Sequence, residues 1–188
     1  MEAIKVYLER NISLSEEDWS FFSSKLVQRK LPKKASLLEI GQVEKYLSFI
    51  EVGIVRFFIP KLENDLTFGF CFENEFVSAY DSFLTQSPSI YQIETLTPIT
   101  IWSLSYEDLQ EIYAHTSIGN TVGRLAAENL YRIKAQRELS LLNETAEQRY
   151  LNLFNQRPEL LKFIALKYLA SYIGITPQAL SRIRKRIS

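Results

Sequence analysis

A single glycine near the C-terminus separates two amphipathic stretches, and this arrangement constrains the fold more than any other part of the sequence. Leu166, Leu169, Ala170 and Ile173 recur at i, i+3, i+4 and i+7, which places them on one face of a helix. Gly174 ends that helix, because only glycine enters the left-handed conformation at little steric cost. Thr176 suits the cap of a following helix. Pro177 suits its first position, where a backbone N–H would have no intrahelical partner. Two short helices about a tight turn predict a helix-turn-helix.

The second helix divides by face. Leu180, Ile183 and Ile187 fall on one side at about 100° per residue. Gln178, Ser181, Arg182 and Lys185 fall opposite, flanked by Arg184 and Arg186. An apolar side that packs on the first helix leaves a polar side facing outward. Reading a major groove requires that arrangement, with Gln and Arg bonding base edges and Ser and Lys bonding phosphates. The segment from Thr176 onward carries four cations and no acid.

The formal charge of the whole chain is zero, which by itself argues against a polyanionic partner. The distribution reverses that argument. From Asn143 onward, eight Lys/Arg stand against three Asp/Glu, a net charge of +5, so residues 1–142 carry −5. A basic end on an acidic body suits a nucleic-acid module attached to another domain. One cysteine, Cys71, excludes an intramolecular disulfide. No signal peptide and no apolar run long enough to span a bilayer are present, so a cytoplasmic protein with no membrane partner is expected.

Upstream, Ser15 with Glu16, Glu17 and Asp18 predicts a capped helix over 13–28 whose apolar face holds Trp19, Phe22 and Leu26. Residues 27–105 alternate short β-rich runs with turn signals and predict an antiparallel sandwich or barrel. Ser105 and Asp108 predict a capped helix over 105–113. A long helix over 117–142 follows, with Val122, Leu125, Ala126, Leu130 and Ile133 as its apolar stripe and Gly119 and Gly123 permitting close approach. A further helix over 143–157 ends at Arg157-Pro158.

This order of parts resembles the Crp/Fnr family of bacterial transcription regulators. The most specific stretches are LPKKASLLEIG (31–41), YLSFIEVGIVRFF (46–58) and LASYIGITPQALSRIRK (169–185). The resemblance implies an α+β chain in three parts. Residues 1–116 would form a cyclic-nucleotide-binding-like, jelly-roll-like β-roll, 117–142 a dimerisation helix, and 143–188 a helix-turn-helix DNA-binding domain. It implies a homodimer on double-stranded DNA, with Thr176, Gln178, Ser181 and Arg182 at contacting positions and Arg182 at that of a base-reading arginine. RNA polymerase and a small-molecule effector are further partners the resemblance allows.

The departures from the family pattern bear on mechanism. Nucleotide-binding members carry a Gly-Glu pair and an Arg followed by Ser or Thr around the cyclic phosphate. Here Ser78-Ala79 and Ser89-Ile90 stand at those places, with Tyr80 and Tyr91 beside them as lining of an altered pocket. No Lys or Arg occurs between Lys61 and Arg124. A buried phosphate without a cationic partner is costly, so no response to cyclic AMP of the family kind is expected. A truncated or absent counterpart of the family's β-hairpin wing is expected after the helix that begins at Pro177, which shifts expected phosphate contacts to Arg184, Lys185 and Arg186.

An iron–sulfur cluster needs about four cysteines. A haem would have only His115 or Cys71 as its main axial candidates. Cupin-like metal chemistry wants several histidines, and His115 is the only one. The sequence therefore predicts no cofactor, no metal and no enzymatic activity. The rival reading is an effector-sensing or scaffold protein whose helix-turn-helix has lost DNA binding.

Overall fold

The computed structural model describes residues 1–187; Ser188, the last residue of the predicted DNA-binding segment, lies outside them. The chain opens with α1 (Glu2–Glu9) and α2 (Glu16–Ser24). Six strands follow: β1 (Val27–Leu31), β2 (Ser36–Leu38), β3 (Tyr46–Val52), β4 (Val55–Ile59), β5 (Leu66–Cys71) and β6 (Phe76–Val77). Then come α3 (Tyr80–Thr85), β7 (Gln92–Thr95), β8 (Ile99–Ser105) and α4 (Tyr106–His115). The last elements are α5 (Gly119–Asn143), α6 (Ala146–Gln156), α7 (Pro158–Phe163), α8 (Leu166–Ile173) and α9 (Pro177–Ile187). This is the expected α+β class, with a β-roll, a long helix and terminal helices in the expected order.

Two compact units divide the chain. One holds Met1–Phe57 and Phe70–Ala127; the other holds Phe58–Gly69 and the residues from Glu128 onward. The β4–β5 hairpin tip thus groups with the C-terminal helices. Two four-stranded sheets run in the orders β1-β8-β3-β6 and β2-β7-β4-β5. Strand alternation sorts the residues between two cores. Ile50 pairs with Ile101 across β3 and β8, and both point between the sheets with Leu38, Val55 and Ile93. Their neighbours Phe49 and Trp102, also paired, point the other way, onto Ile4, Leu8, Phe22 and Ile112 of α1, α2 and α4.

Capping chemistry explains where helices start. Ser15 Oγ accepts the Asp18 N–H and Ser105 Oγ accepts the Asp108 N–H, as read from the sequence. Thr145 and Gln148 form a reciprocal capping box at α6. Three short helices were not foreseen. α1 shows only Ile4 and Leu8, four residues apart, as its buried signal. α3 falls in the segment read as pocket, and α7 forms with Pro158 at its first turn. Gly119 and Gly123 do permit close approach, but to α4. A Cβ at Gly119 would lie 2.5 Å from Ile112 O, and one at Gly123 2.7 Å from the Tyr113 hydroxyl.

Candidate nucleic-acid interface

The second unit assembles the helix-turn-helix from α8 and α9. Gly174 has φ +82°, and its N–H bonds back to Ala170 O and Ser171 O, so the left-handed residue closes α8. Thr176 Oγ1 accepts the Ala179 N–H at 3.2 Å and opens α9. Leu169, Ala170 and Ile173 are buried on α8, as are Leu180 and Ile183 on α9. The small Ala170 side chain is wholly covered, consistent with a close helix crossing.

The opposite side of α9 is open. Gln178, Arg182, Arg184, Lys185 and Arg186 are exposed, as is Thr176, and Ser181 is half-buried. Arg186 donates to Glu147 at the start of α6. Ile187, assigned to the apolar side from its periodicity, is exposed, one turn beyond the buried Ile183. The cationic arc is thus presented on a helix whose other face is held by the core.

Sequence reasoning missed what fixes the turn. Arg137 of α5 donates through Nη2 to Tyr172 O at 2.7 Å, and its guanidinium lies 3.9 Å from the Tyr172 ring centroid. Arg149 of α6 donates through Nε to Ile173 O at 2.8 Å and through Nη1 to Glu144 O. The Tyr172 and Ile173 carbonyls end α8, where no intrahelical N–H remains for them. Cations there also complement the helix dipole. Burial lowers the Arg137 pKa from its ordinary value; the guanidinium remains charged at neutral pH.

Ser171, on α8, ties the hairpin tip. Its Oγ donates to Asp65 O at 2.7 Å and accepts the Thr67 N–H at 2.8 Å. No local sequence pattern marks Arg137, Arg149 or Ser171, because their partners are backbone atoms distant in sequence.

The pocket residues are engaged with the roll itself. Ser78 Oγ donates to Tyr46 O, and Ala79 is fully buried. Tyr80 stacks on Phe83, and burial raises its pKa. Ser89 Oγ donates to Tyr91 O and accepts the Tyr91 N–H, and the Tyr91 hydroxyl donates to Asp81. Ile90 points outward and is exposed. A group missed from sequence is Glu44. It is buried, and its carboxylate accepts the Tyr46 N–H at 3.0 Å and the Ala79 N–H at 3.3 Å. Burial raises its pKa. Arg56, a buried cation of the roll, is paired with Glu94 at 2.6 Å.

The residues of the long-helix stripe divide. Val122 packs on the roll's outer core. Leu125, Ala126 and Leu130 are half-buried and Ile133 is exposed. Of the 25 residues of α5, only Gly119 is buried. Arg132, Gln136, Leu139 and Ser140 of α5 line a groove of about 390 Å³ with Gln156 of α6. His115 ends α4, its Nδ1 3.0 Å from Glu111 O, and Cys71 Sγ donates to Phe76 O. Among the described residues no cluster of metal-ligating side chains occurs, and no helix is long and apolar enough to cross a membrane.

No protein-family model matches the sequence, and neither does any curated protein. Solved structures do match. A regulator assigned to the Crp/Fnr family from Eubacterium rectale superposes with TM-score 0.72 at 13% identity, covering 96% of this chain and 87% of that one. A CooA mutant from Carboxydothermus hydrogenoformans gives TM-score 0.72 at 13% identity, over 93% of this chain and 80% of the other. The c-di-GMP responsive global regulator CLP of Xanthomonas campestris gives TM-score 0.69 at 18% identity, over 92% and 91%. The chain therefore has the fold of the Crp/Fnr regulators, from the β-roll through the long helix to the helix-turn-helix.

Proposed function

We propose that this protein is a sequence-specific DNA-binding transcription regulator of Crp/Fnr type. The observation that carries the reading is α9, with Leu180 and Ile183 buried beneath and Gln178, Arg182 and Lys185 exposed above. Gln178 pairs with adenine and Arg182 with guanine, while Thr176, Ser181 and the cations of the last turn meet phosphates.

The protein works as a homodimer through α5. The near-absence of buried residues on that helix supports this, because a helix with Leu130 half-covered and Ile133 open has apolar surface for a second copy. Two-fold symmetry then sets the two α9 helices on half-sites about one helical turn apart. In this reading residues 1–116 are the sensor, 117–142 the dimer helix and 143–188 the DNA-binding domain.

The roll does not take cyclic AMP as nucleotide-binding members do. The Ala79 N–H is given to the Glu44 carboxylate, and Ser89 is bonded within its own turn. A phosphate brought there would meet a buried acid, and Arg56, the buried cation of β4, is already paired with Glu94. Calorimetric titration with cyclic AMP is expected to show no binding heat.

Selection from a random DNA pool tests the main reading. An inverted repeat is expected. Arg182→Ala should then cost about 1–3 kcal/mol and relax selectivity at one base pair per half-site. Recovery of no enriched sequence would favour a scaffold whose helix-turn-helix no longer binds DNA.

A further inference from the structure

We propose that Glu147 is a built-in competitor for the DNA backbone, holding Arg186 of the recognition helix until a phosphate replaces it. The inference rests on the DNA-binding reading above and adds a regulatory residue to it. From Thr176 onward the sequence has no acid, so α9 cannot neutralise its own cations. The fold supplies an acid from 39 positions away, and Arg186 Nη2 donates to Glu147 Oε2. Carboxylate and phosphate oxygens accept the same guanidinium donors, so the two compete for one group.

Two features suit Glu147 to a reversible role. It lies in the first turn of α6, outside the helix pair that carries Arg186, so it can be changed without altering α9 itself. The pair is also open to water, with side-chain exposures of 65% for Arg186 and 35% for Glu147. Exposed pairs of this kind are weak, so exchange for a phosphate needs no refolding. The effect is an attenuation of affinity set by one residue outside the helix-turn-helix.

The test uses the full chain and a mixed-sequence duplex, which reports the backbone contribution without knowledge of an operator. Binding is measured at low and high salt for wild type, Glu147→Gln, Arg186→Ala and the double variant. The expected result is about 2- to 5-fold tighter binding by E147Q at low salt, the range of an exposed ion pair. The gain should shrink at high salt and vanish in the R186A background. Unchanged or weaker binding by E147Q overturns the proposal, since Glu147 would then be neutral or would position Arg186 for DNA. An equal gain in the R186A background also overturns it, because Glu147 would act by simple repulsion. If wild type binds and E147Q fails this pattern, the regulator reading stands without the brake. If none of the four proteins binds any duplex, both fall.

Discussion

The roll and α9 dispose their polar groups in opposite ways. In the roll they are turned inward and satisfied by one another: Ser48 with Ser103, Arg56 with Glu94, and Glu44 with two backbone N–H groups. On α9 the cations Arg182, Arg184, Lys185 and Arg186 are exposed, and the buried positions Leu180 and Ile183 beneath them are apolar. Buried polar groups that bond each other specify one packing and leave little for a ligand. Exposed cations on a helix stay in contact with water, and even the pair of Arg186 with Glu147 is open to it. The roll's polar chemistry is thus directed inward, and that of α9 is directed toward solvent.

The largest test of that contrast is Leu180→Ala. Leu180 is fully buried, and its truncation should destabilise the helical unit by about 2–5 kcal/mol. Calorimetry should show the helical unit's transition lowered and the roll's retained. A single transition that falls as a whole would show that the two units share one core.

A smaller effect is expected at the turn. Gly174→Ala places a side chain at φ +82° and should cost about 1–2 kcal/mol in denaturant unfolding. A Cβ there meets Arg149 Nη2 at 3.7 Å and Leu141 at 3.8 Å, which are ordinary contacts, so the cost comes from the backbone. Gly174→Asn should therefore lose less than Gly174→Ala, since asparagine tolerates the left-handed region better.

The smallest effect concerns Glu44. Burial raises its pKa, so the folded protein holds the proton more tightly than the unfolded chain. The cost of the buried charge accordingly develops as pH rises above the ordinary carboxylate range, and it is complete above the folded pKa. Glu44→Gln keeps an acceptor oxygen and carries no charge. Its melting temperature is expected to gain on wild type as the pH is raised from about 4 to about 8. A variant that is less stable across that whole range would show that the carboxylate is favourably held.

Much of the chain was legible from local chemistry. Ser15 and Ser105 mark helix starts because a hydroxyl one residue ahead of a helix satisfies a free N–H nearby. The Gly174–Thr176–Pro177 turn and the outward arc of α9 follow from spacing alone. α1 and α3 were not legible, since eight and six residues carry too little periodicity to separate a helix from a loop. Val122 was read as part of a helix–helix stripe, and only its contact with the roll's outer core shows that it packs there. The spacing is the same in either case; the neighbour differs.

By itself the sequence determined the order of roll, long helix and terminal helix pair, the α+β class and α9 with its polar side, because these depend on contacts a few residues apart. Tertiary structure alone decided that Arg137 and Arg149 hold the turn, that Glu44 takes the Ala79 N–H, and that Arg186 meets Glu147. Those pairings join groups brought together by folding, and a hydrogen bond or ion pair leaves no periodic trace in the residues between its ends.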